Sequence, residues 1–492
     1  MSYRYIGIPK SITYHDCCIN DTIFAPSKYS RFLPQNDKLF VPLSSVCQES
    51  KSKITYNRKK KYAYSEIGDI DVSNGTVDYR YIHGVELPSD NPKICQKGDI
   101  LVSTVRTYRG GIGLVSDDLD NHCCTPAILV IRNITNERIS KEYLLAVLRT
   151  EFFTEQILGF QTRGMYPRLD SDAMDKVIIP IPEDNNVIKY ISLLSQAYHN
   201  KYCLIRKRHD EIIDLIDKEL NHNQNTNKFQ YKLPTLAEIT ELNRIDTNMY
   251  RLYFKKEVYK IINYCNGTKT IEELGFKLSR GQNLQISNIG KSIYSDKHHP
   301  NFYTLVLPKY LSKYGTVEKV SYLGNQNSLK TLKMGDLIFG AEGFEKGRSI
   351  VVIEEQSKTI TNIHGITLQQ EKHDLSKAIF VKCFLDYLRD RGLIDLFAVG
   401  GNGGSLAQKY WPYIPFPNFP EPKQKEITAL YHTPQEYDIN NFTLDNFLEK
   451  DNEFNSKAGI YELDKTGNVL KEKLNCAIDN IVNNRHVEIF PC

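Results

Sequence analysis

The side chains of this chain that could do chemistry are cationic and aromatic, and they fall in turn-like stretches. The first half carries Arg58, Lys59, Lys60 and Lys61 in one run, then Arg106, Tyr108 and Arg109 in a Gly-ended turn. It adds Gln161, Arg163, Tyr166 and Arg168 in a third stretch. The second half carries Arg280, Gln282, Lys291, Lys346, Arg348, Asn402 and Lys409. Arginine and lysine neutralise phosphates, and arginine and glutamine make paired hydrogen bonds to purine edges in the major groove. Glycines beside them let backbone come close to a phosphodiester. These residues are therefore candidates for contact with double-stranded DNA. Each cluster alone also fits a solvated surface run; what favours DNA is that similar loops recur at matching places in the two halves.

Catalytic motifs are missing. No G-x-x-x-x-G-K-[ST] loop, G-x-S-x-G elbow or H-E-x-x-H helix occurs, nor the Asn-Pro-Pro-[Tyr/Phe] of adenine methyltransferases. Gly400 to Gly404 follows a helical stretch, so it reads as a loop and not as a phosphate cradle. His298-His299 has no spaced partners and reads as surface. Asp336, Glu345 and Lys346 are the residues from which an acid–acid–lysine nuclease set would be drawn. The first half, however, has Asp99 with Thr and Arg in the matching stretch, and Gly-Asp ahead of a strand is a common turn.

The elements that must position the basic loops are written twice. Lys97-Gly98-Asp99-Ile100-Leu101-Val102 returns as Met334-Gly335-Asp336-Leu337-Ile338-Phe339, and Ile179-Pro-Ile-Pro182 returns as Ile414-Pro-Phe-Pro417. In each half two strands flank a Gly-rich turn: Ile100 to Val105 and Ile112 to Val115, then Leu337 to Gly340 and Ile350 to Ile353. A third strand follows in each, at Ala127 to Ile131 and Gly365 to Leu368. A helix is expected next, over Leu144 to Leu158 with Gly159 as its stop, and over Ala378 to Phe397.

Between the halves, Ile191, Leu194, Tyr198, Tyr202, Ile205, Ile212, Ile216 and Leu220 fall at helical spacing, with His209 at the one gap. The stretch Val187 to Leu220 has no Pro or Gly and predicts a helix about 50 Å long at ~1.5 Å per residue. Asn221 to Asn227 ends it as a polar loop. After Thr433 comes a loop rich in Asn, Asp and Glu. Leu463, Leu470, Leu474, Ala477, Ile478 and Ile481 then form a second amphipathic stripe. The two stripes either pack antiparallel on each other or each serve only their own domain.

Composition narrows the class. A net charge of +4 gives no global polycationic signal, so any nucleic-acid surface must come from local clustering. The 11 cysteines form no C-x-x-C pair and read as buried reduced thiols. No apolar run approaches the ~18–20 residues that span a bilayer, and the first residues lack a signal core. The expectation is a soluble, cytoplasmic protein with no membrane partner.

The order Gly-Asp-Ile-Leu-Val-Ser-Thr-Val-Arg, helix, glycines at 159 and 164, Ile-Pro-Ile-Pro strand, long helix, repeated once, resembles the DNA specificity subunit of type I restriction-modification enzymes. Arg244-Ile-Asp-Thr-Asn-Met-Tyr250 and Gly459-Ile-Tyr-Glu-Leu-Asp464 are similar to segments of that family. The resemblance implies an α+β chain of two tandem target-recognition domains separated by long antiparallel spacer helices. Its expected divisions are a first domain at 1–185, a central helix at 186–228, a second domain at 229–420 and a C-terminal helical region and tail at 421–492. It also implies no catalytic centre and no cofactor bound by this chain. Partners would be methyltransferase subunits using S-adenosylmethionine and restriction subunits using ATP and Mg. Departures are the Phe339-Gly-Ala-Glu-Gly-Phe run, less basic than its counterpart, and the short helix after Pro422, which leaves the second spacer open to being broken. The competing classes are a scaffold of another phage-defence assembly and a cryptic nuclease or methyltransferase.

Overall fold

A computed structural model of the chain describes residues 4–7, 11–19, 29, 31–32, 39–55, 57–88, 91–160, 174–343, 345–354, 358–400 and 404–490. The fold is α+β, as expected. The chain divides into two compact units: Met1–Cys203 with Glu436–Ser456 and Lys465–Cys492, and Leu204–Gln435 with Lys457–Asp464.

In the first unit one antiparallel sheet runs, in spatial order, Cys47–Glu49, Ile128–Ile134, Ile100–Ser103, Ile112–Leu114. A second sheet runs Arg80–His83, Lys61–Ser65, His122–Cys124, Lys93–Ile94, with its central pair parallel. Ile100–Ser103 is buried on both faces, which is why it reads as a continuous apolar run and does not alternate. Val77, Cys95, Leu101, Cys124, Ile128 and Val130 close into one core.

The second unit repeats the first sheet strand for strand: Phe276–Arg280, Gly365–Gln370, Leu337–Gly340, Ser349–Val351. Its second sheet runs Ser292–Ser295, Ser321–Asn325, Tyr303–Leu305, Thr359–Ile360 and again holds one parallel pair. Along the central strands register is kept residue by residue, with position n of the first unit matching n + 237 of the second (Gly98 to Gly335). Leu101 lies opposite Gly113 and Val130, and Ile338 lies opposite Ile350 and Thr367.

The Gly-Asp landmark is a turn that feeds the central strand. Gln96 N–H donates to Asp99 Oδ2 at 2.8 Å, and Lys333 N–H to Asp336 Oδ2 at 2.9 Å. Gly98 (φ 85°) and Gly335 (φ 83°) occupy the left-handed region that favours glycine. Their N–H groups donate to Val115 O and Val352 O. The Ile-Pro runs also have matching roles: Ile178–Pro180 pairs with Phe40–Pro42, and Phe416–Pro417 with Thr268–Lys269.

The expected single helices are each broken in two, Lys141–Leu148 with Glu151–Phe160, and Leu375–Asp390 with Leu393–Phe397. Gly392, at φ 70°, makes the second break. The long helix is Asn185–His222, and all eight of its expected seam residues are buried, as is His209. Within the first unit the last helix, Ile460–Val482, runs antiparallel beside it: Gly467 packs at the Tyr202 ring, and Tyr198 and Lys471 both donate to Ser73 O.

Two expectations are corrected. The tail after Thr433 is not all loop: Phe447–Lys457 is a helix. Its polar residues Asp451 and Asn455 misled because they are buried against Lys201 and not solvated. Glu421–Tyr431 is the short helix expected after Pro422, and the next α-helix starts only at Phe447, so the second spacer is broken. Cys18, Cys265 and Cys476 are exposed, not buried, though every described cysteine is a free thiol.

Candidate nucleic-acid interface

The first basic run lies at the open end of a hairpin, where the chain enters its first strand. Lys61–Ser65 and Arg80–His83 pair antiparallel, and the turn before them is pinned from inside. Tyr62, fully buried, accepts Asn57 N–H at 3.0 Å, while Asn57 Oδ1 accepts Lys59 N–H at 3.0 Å. Gly84 passes so close to the Asn57 carbonyl that a Cβ there would stand 2.1 Å from its oxygen. A fixed turn thus presents Arg58, Lys59, Lys60 and Lys61, all exposed and without an ion pair among the described residues.

The second basic loop leaves Ile100–Ser103 and returns at Ile112. Arg106 is left-handed at φ 52°, an arrangement that costs a non-glycine residue roughly 1–3 kcal/mol. The buried Thr107 hydroxyl donates to Ser103 O at 2.6 Å and holds the loop down. Below it Arg149 donates to Ile112 O at 2.5 Å and Val72 O at 3.2 Å, and burial pulls its pKa below the ordinary arginine value. Arg109 is exposed and unpaired among the described residues, and Arg106 and Tyr108 are half-buried. Gln161, Arg163, Tyr166 and Arg168 lie outside the described residues, as does Asn402.

The matching loop of the second unit behaves differently, because carboxylates take its cations. Lys346 Nζ is 2.5 Å from Asp395 Oδ1, with its side chain only 9% exposed. Arg348 donates to Leu311 O and Glu345 Oε1, both at 2.8 Å. Arg280 Nη1 meets Glu342 Oε1 at 3.1 Å, and Glu342 Oε2 meets His364 Nδ1 at 2.7 Å. Lys409 and Lys291 are exposed, the former over the Tyr410 ring at 4.9 Å.

The acid–acid–lysine set does not assemble. Asp336 is buried in its own turn, Glu345 pairs with Arg348, and Lys346 pairs with Asp395. In the first unit Asp99 is held from two sides by Arg132, at 3.0 and 2.8 Å. Both aspartates therefore serve the turn.

Reading the sequence missed a cleft in the second unit. Arg280, Gln282, Asn283, Lys330, Thr361 and Thr367 line a space of about 110 Å³. The available signal was a lysine at one place in both repeats, Lys93 and Lys330.

No family model matches the chain. It is 23% identical over 157 residues to the Type I restriction enzyme HindI specificity subunit of Haemophilus influenzae. The match covers 31% of this chain and 33% of that protein, so the chain matches about a third of the length of its curated relative. Among solved structures, the HsdS subunit from Thermoanaerobacter tengcongensis is 18% identical, with 91% of this chain and 97% of that chain covered and a TM-score of 0.32. The Type-I restriction-modification system S subunit from M. genitalium is 14% identical, with 94% and 98% covered and a TM-score of 0.39. Both superpose loosely. The chain is similar to the specificity-subunit family of type I restriction enzymes.

Proposed function

We propose, from this similarity to type I specificity subunits, that the chain is a non-catalytic subunit that binds double-stranded DNA sequence-specifically, each half reading one half of a bipartite, asymmetric target. The observation that carries the reading is the repeat itself. One strand order occurs twice in the first sheet of each unit, with an offset of 237 along the central strands, while the loops between the strands differ. Two copies of a scaffold with unlike loops suit two unlike half-sites. A palindrome would call for identical copies, as two-fold binders use.

In this reading residues 1–185 and 229–420 are the target-recognition domains, and 186–228 and 421–492 carry the helical spacer regions. DNA is touched by Arg58, Lys59, Lys60, Lys61, Arg106, Tyr108 and Arg109 in the first half, with Gln161, Arg163, Tyr166 and Arg168. The second half contributes Arg280, Gln282, Asn402 and Lys409, while Lys346 and Arg348, also candidates by sequence, are held by Asp395 and Glu345. The chain works in the cytoplasm without a cofactor of its own. It positions methyltransferase subunits, which use S-adenosylmethionine, and restriction subunits, which use ATP and Mg.

The experiment is duplex binding by the purified chain at stepped salt. Neutralisation of several phosphates predicts an affinity that falls by about one to two log units on a modest rise in salt. No binding at low salt would favour the scaffold reading, and metal-dependent cleavage by the chain alone would favour a nuclease.

A further inference from the structure

Lys93 and Lys330 occupy the same position of the two repeats, but among the described residues only Lys93 has a counter-charge. Lys93 Nζ donates to Glu49 Oε1 at 3.0 Å and to Ile128 O at 2.7 Å, with both ionic side chains largely shielded. Glu49 lies opposite Ile131 in the sheet, and the residue opposite the equivalent Leu368 is Leu278. A leucine cannot neutralise the lysine. Lys330 instead reaches only the Ser279 hydroxyl, at 3.4 Å, and makes no ion pair among the described residues.

Beneath Lys330 is the cleft of about 110 Å³. Its lining is amide, hydroxyl and cation, with no carboxylate: Gln282, Asn283, Thr361 and Thr367, with Lys330 and Arg280 at the rim. The Thr367 hydroxyl is taken by Ser279, at 2.8 Å. The Thr361 hydroxyl is not taken. It is buried, on a residue 2% exposed, and has no hydrogen-bond partner among the described residues. Buried hydroxyls are nearly always paired, so this one calls for an occupant. The first unit has Cys124, a core thiol, at the matching place. Gly281 makes the cleft possible by passing the Asn362 carbonyl where a Cβ would stand 2.1 Å from its oxygen.

A lysine without a counter-charge, an unpaired hydroxyl and two side-chain amides around a space of a few water volumes are the chemistry of a tetrahedral oxyanion. We propose that this cleft binds one backbone phosphate of the DNA duplex, through Lys330 Nζ and Thr361 Oγ1, with Gln282 and Asn283 as further donors. The assignment rests on the DNA-binding reading. It makes the second unit's phosphate grip a cleft between strands, whereas its basic loop is closed by Asp395 and Glu345.

The test uses the full chain and three variants, Lys330→Ala, Thr361→Val and Leu278→Glu. The last gives the second unit the counter-charge that Glu49 supplies in the first. Duplex affinity is measured against salt, inorganic phosphate is titrated by NMR, and melting temperature reports folding. Lys330→Ala and Leu278→Glu are expected to lower the slope of log affinity against log salt by about 0.9, the value for one neutralised phosphate. Thr361→Val is expected to weaken binding severalfold with the slope unchanged. If the parent chain binds duplex and all three folded variants keep its affinity and slope, the cleft assignment fails while the DNA reading stands. If the parent binds no duplex but its phosphate response disappears in Lys330→Ala, the ligand is a free phosphate, and both the DNA reading and this assignment fail.

Discussion

Lys201 Nζ lies 2.7 Å from Asp451 Oδ1 in the first unit, with both side chains closed off from solvent. Asn455 Oδ1 accepts from the same ammonium at 2.6 Å, and the Tyr437 and Phe454 rings face it at 4.6 and 4.7 Å. This group docks the Phe447–Lys457 helix on the long helix. Burial lowers the Lys201 pKa to about 8, with Asp451 opposing the shift. Breaking one side of such a pair strands a buried charge at a cost of about 3–5 kcal/mol, whereas replacing both by apolar groups is often neutral. Lys201→Met and Asp451→Leu are each expected to lower stability by that order, and the double variant to recover most of it. Chemical denaturation of the four proteins checks this, and additive losses would contradict it.

Glu462 opens the last helix and fastens it to the end of the Glu421–Tyr431 helix. Its carboxylate accepts Thr433 N–H at 3.0 Å and Gly459 N–H at 3.1 Å and meets His432 Nδ1 at 2.5 Å. Burial would raise its pKa, but His432 and the Thr433 N–H outweigh that and hold it below the ordinary 4.5. A depressed carboxyl contributes stability above the unfolded value and loses it as pH falls through the folded one. The chain is therefore expected to lose stability below about pH 4.5, with a smaller acid dependence in Glu462→Gln. Thermal melts from pH 7 to 3 read this, and identical profiles for the two proteins would count against it.

The two loop systems should separate in binding. Neutralising Arg58, Lys59 and Lys60 together is expected to reduce the salt slope of duplex binding by up to about 0.9 for each phosphate these cations pair with, leaving the melting temperature unchanged. Lys346→Ala should do the reverse. It frees Asp395 and removes a shielded cation, so it costs stability and leaves the slope alone. A lower slope for Lys346→Ala would show that its pair with Asp395 opens on DNA.

The repeat was legible because its landmarks are backbone requirements. Gly98 and Gly335 need a positive φ, the aspartate after each closes the turn onto its own chain, and an apolar strand follows. The long helix was legible because its seam is periodic and unbroken. Less of the site could be read. A run such as Arg58–Lys61 declares itself, but sequence does not say that Asp395 closes Lys346, or that Leu278 leaves Lys330 uncompensated. Those depend on pairings across strands and on residues about 50 positions away. The Phe447–Lys457 helix was hidden for a related reason: its buried face is partly polar, which periodicity counts as loop.

The two turn glycines give a further check on the repeat. Alanine at a positive φ costs about 1 kcal/mol from backbone alone. At Gly98 the added Cβ meets only the flexible Lys141 Nζ, at 3.3 Å. At Gly335 it meets Gln370 Nε2 at 2.9 Å and His373 backbone at 3.3 Å. Gly335→Ala is expected to destabilise more than Gly98→Ala, and the opposite order by denaturation would contradict the turn geometry.

If this chain selects the DNA sequence on which a partner methyltransferase acts, as proposed, host methylation depends on its gene. Long-read methylation mapping of host DNA, with and without the gene, tests it most directly. The expected result is a split, asymmetric, adenine-methylated motif that disappears with the gene and returns when the gene is restored. A methylation pattern that is the same in both strains, with the partner methyltransferase gene present and expressed, would contradict it.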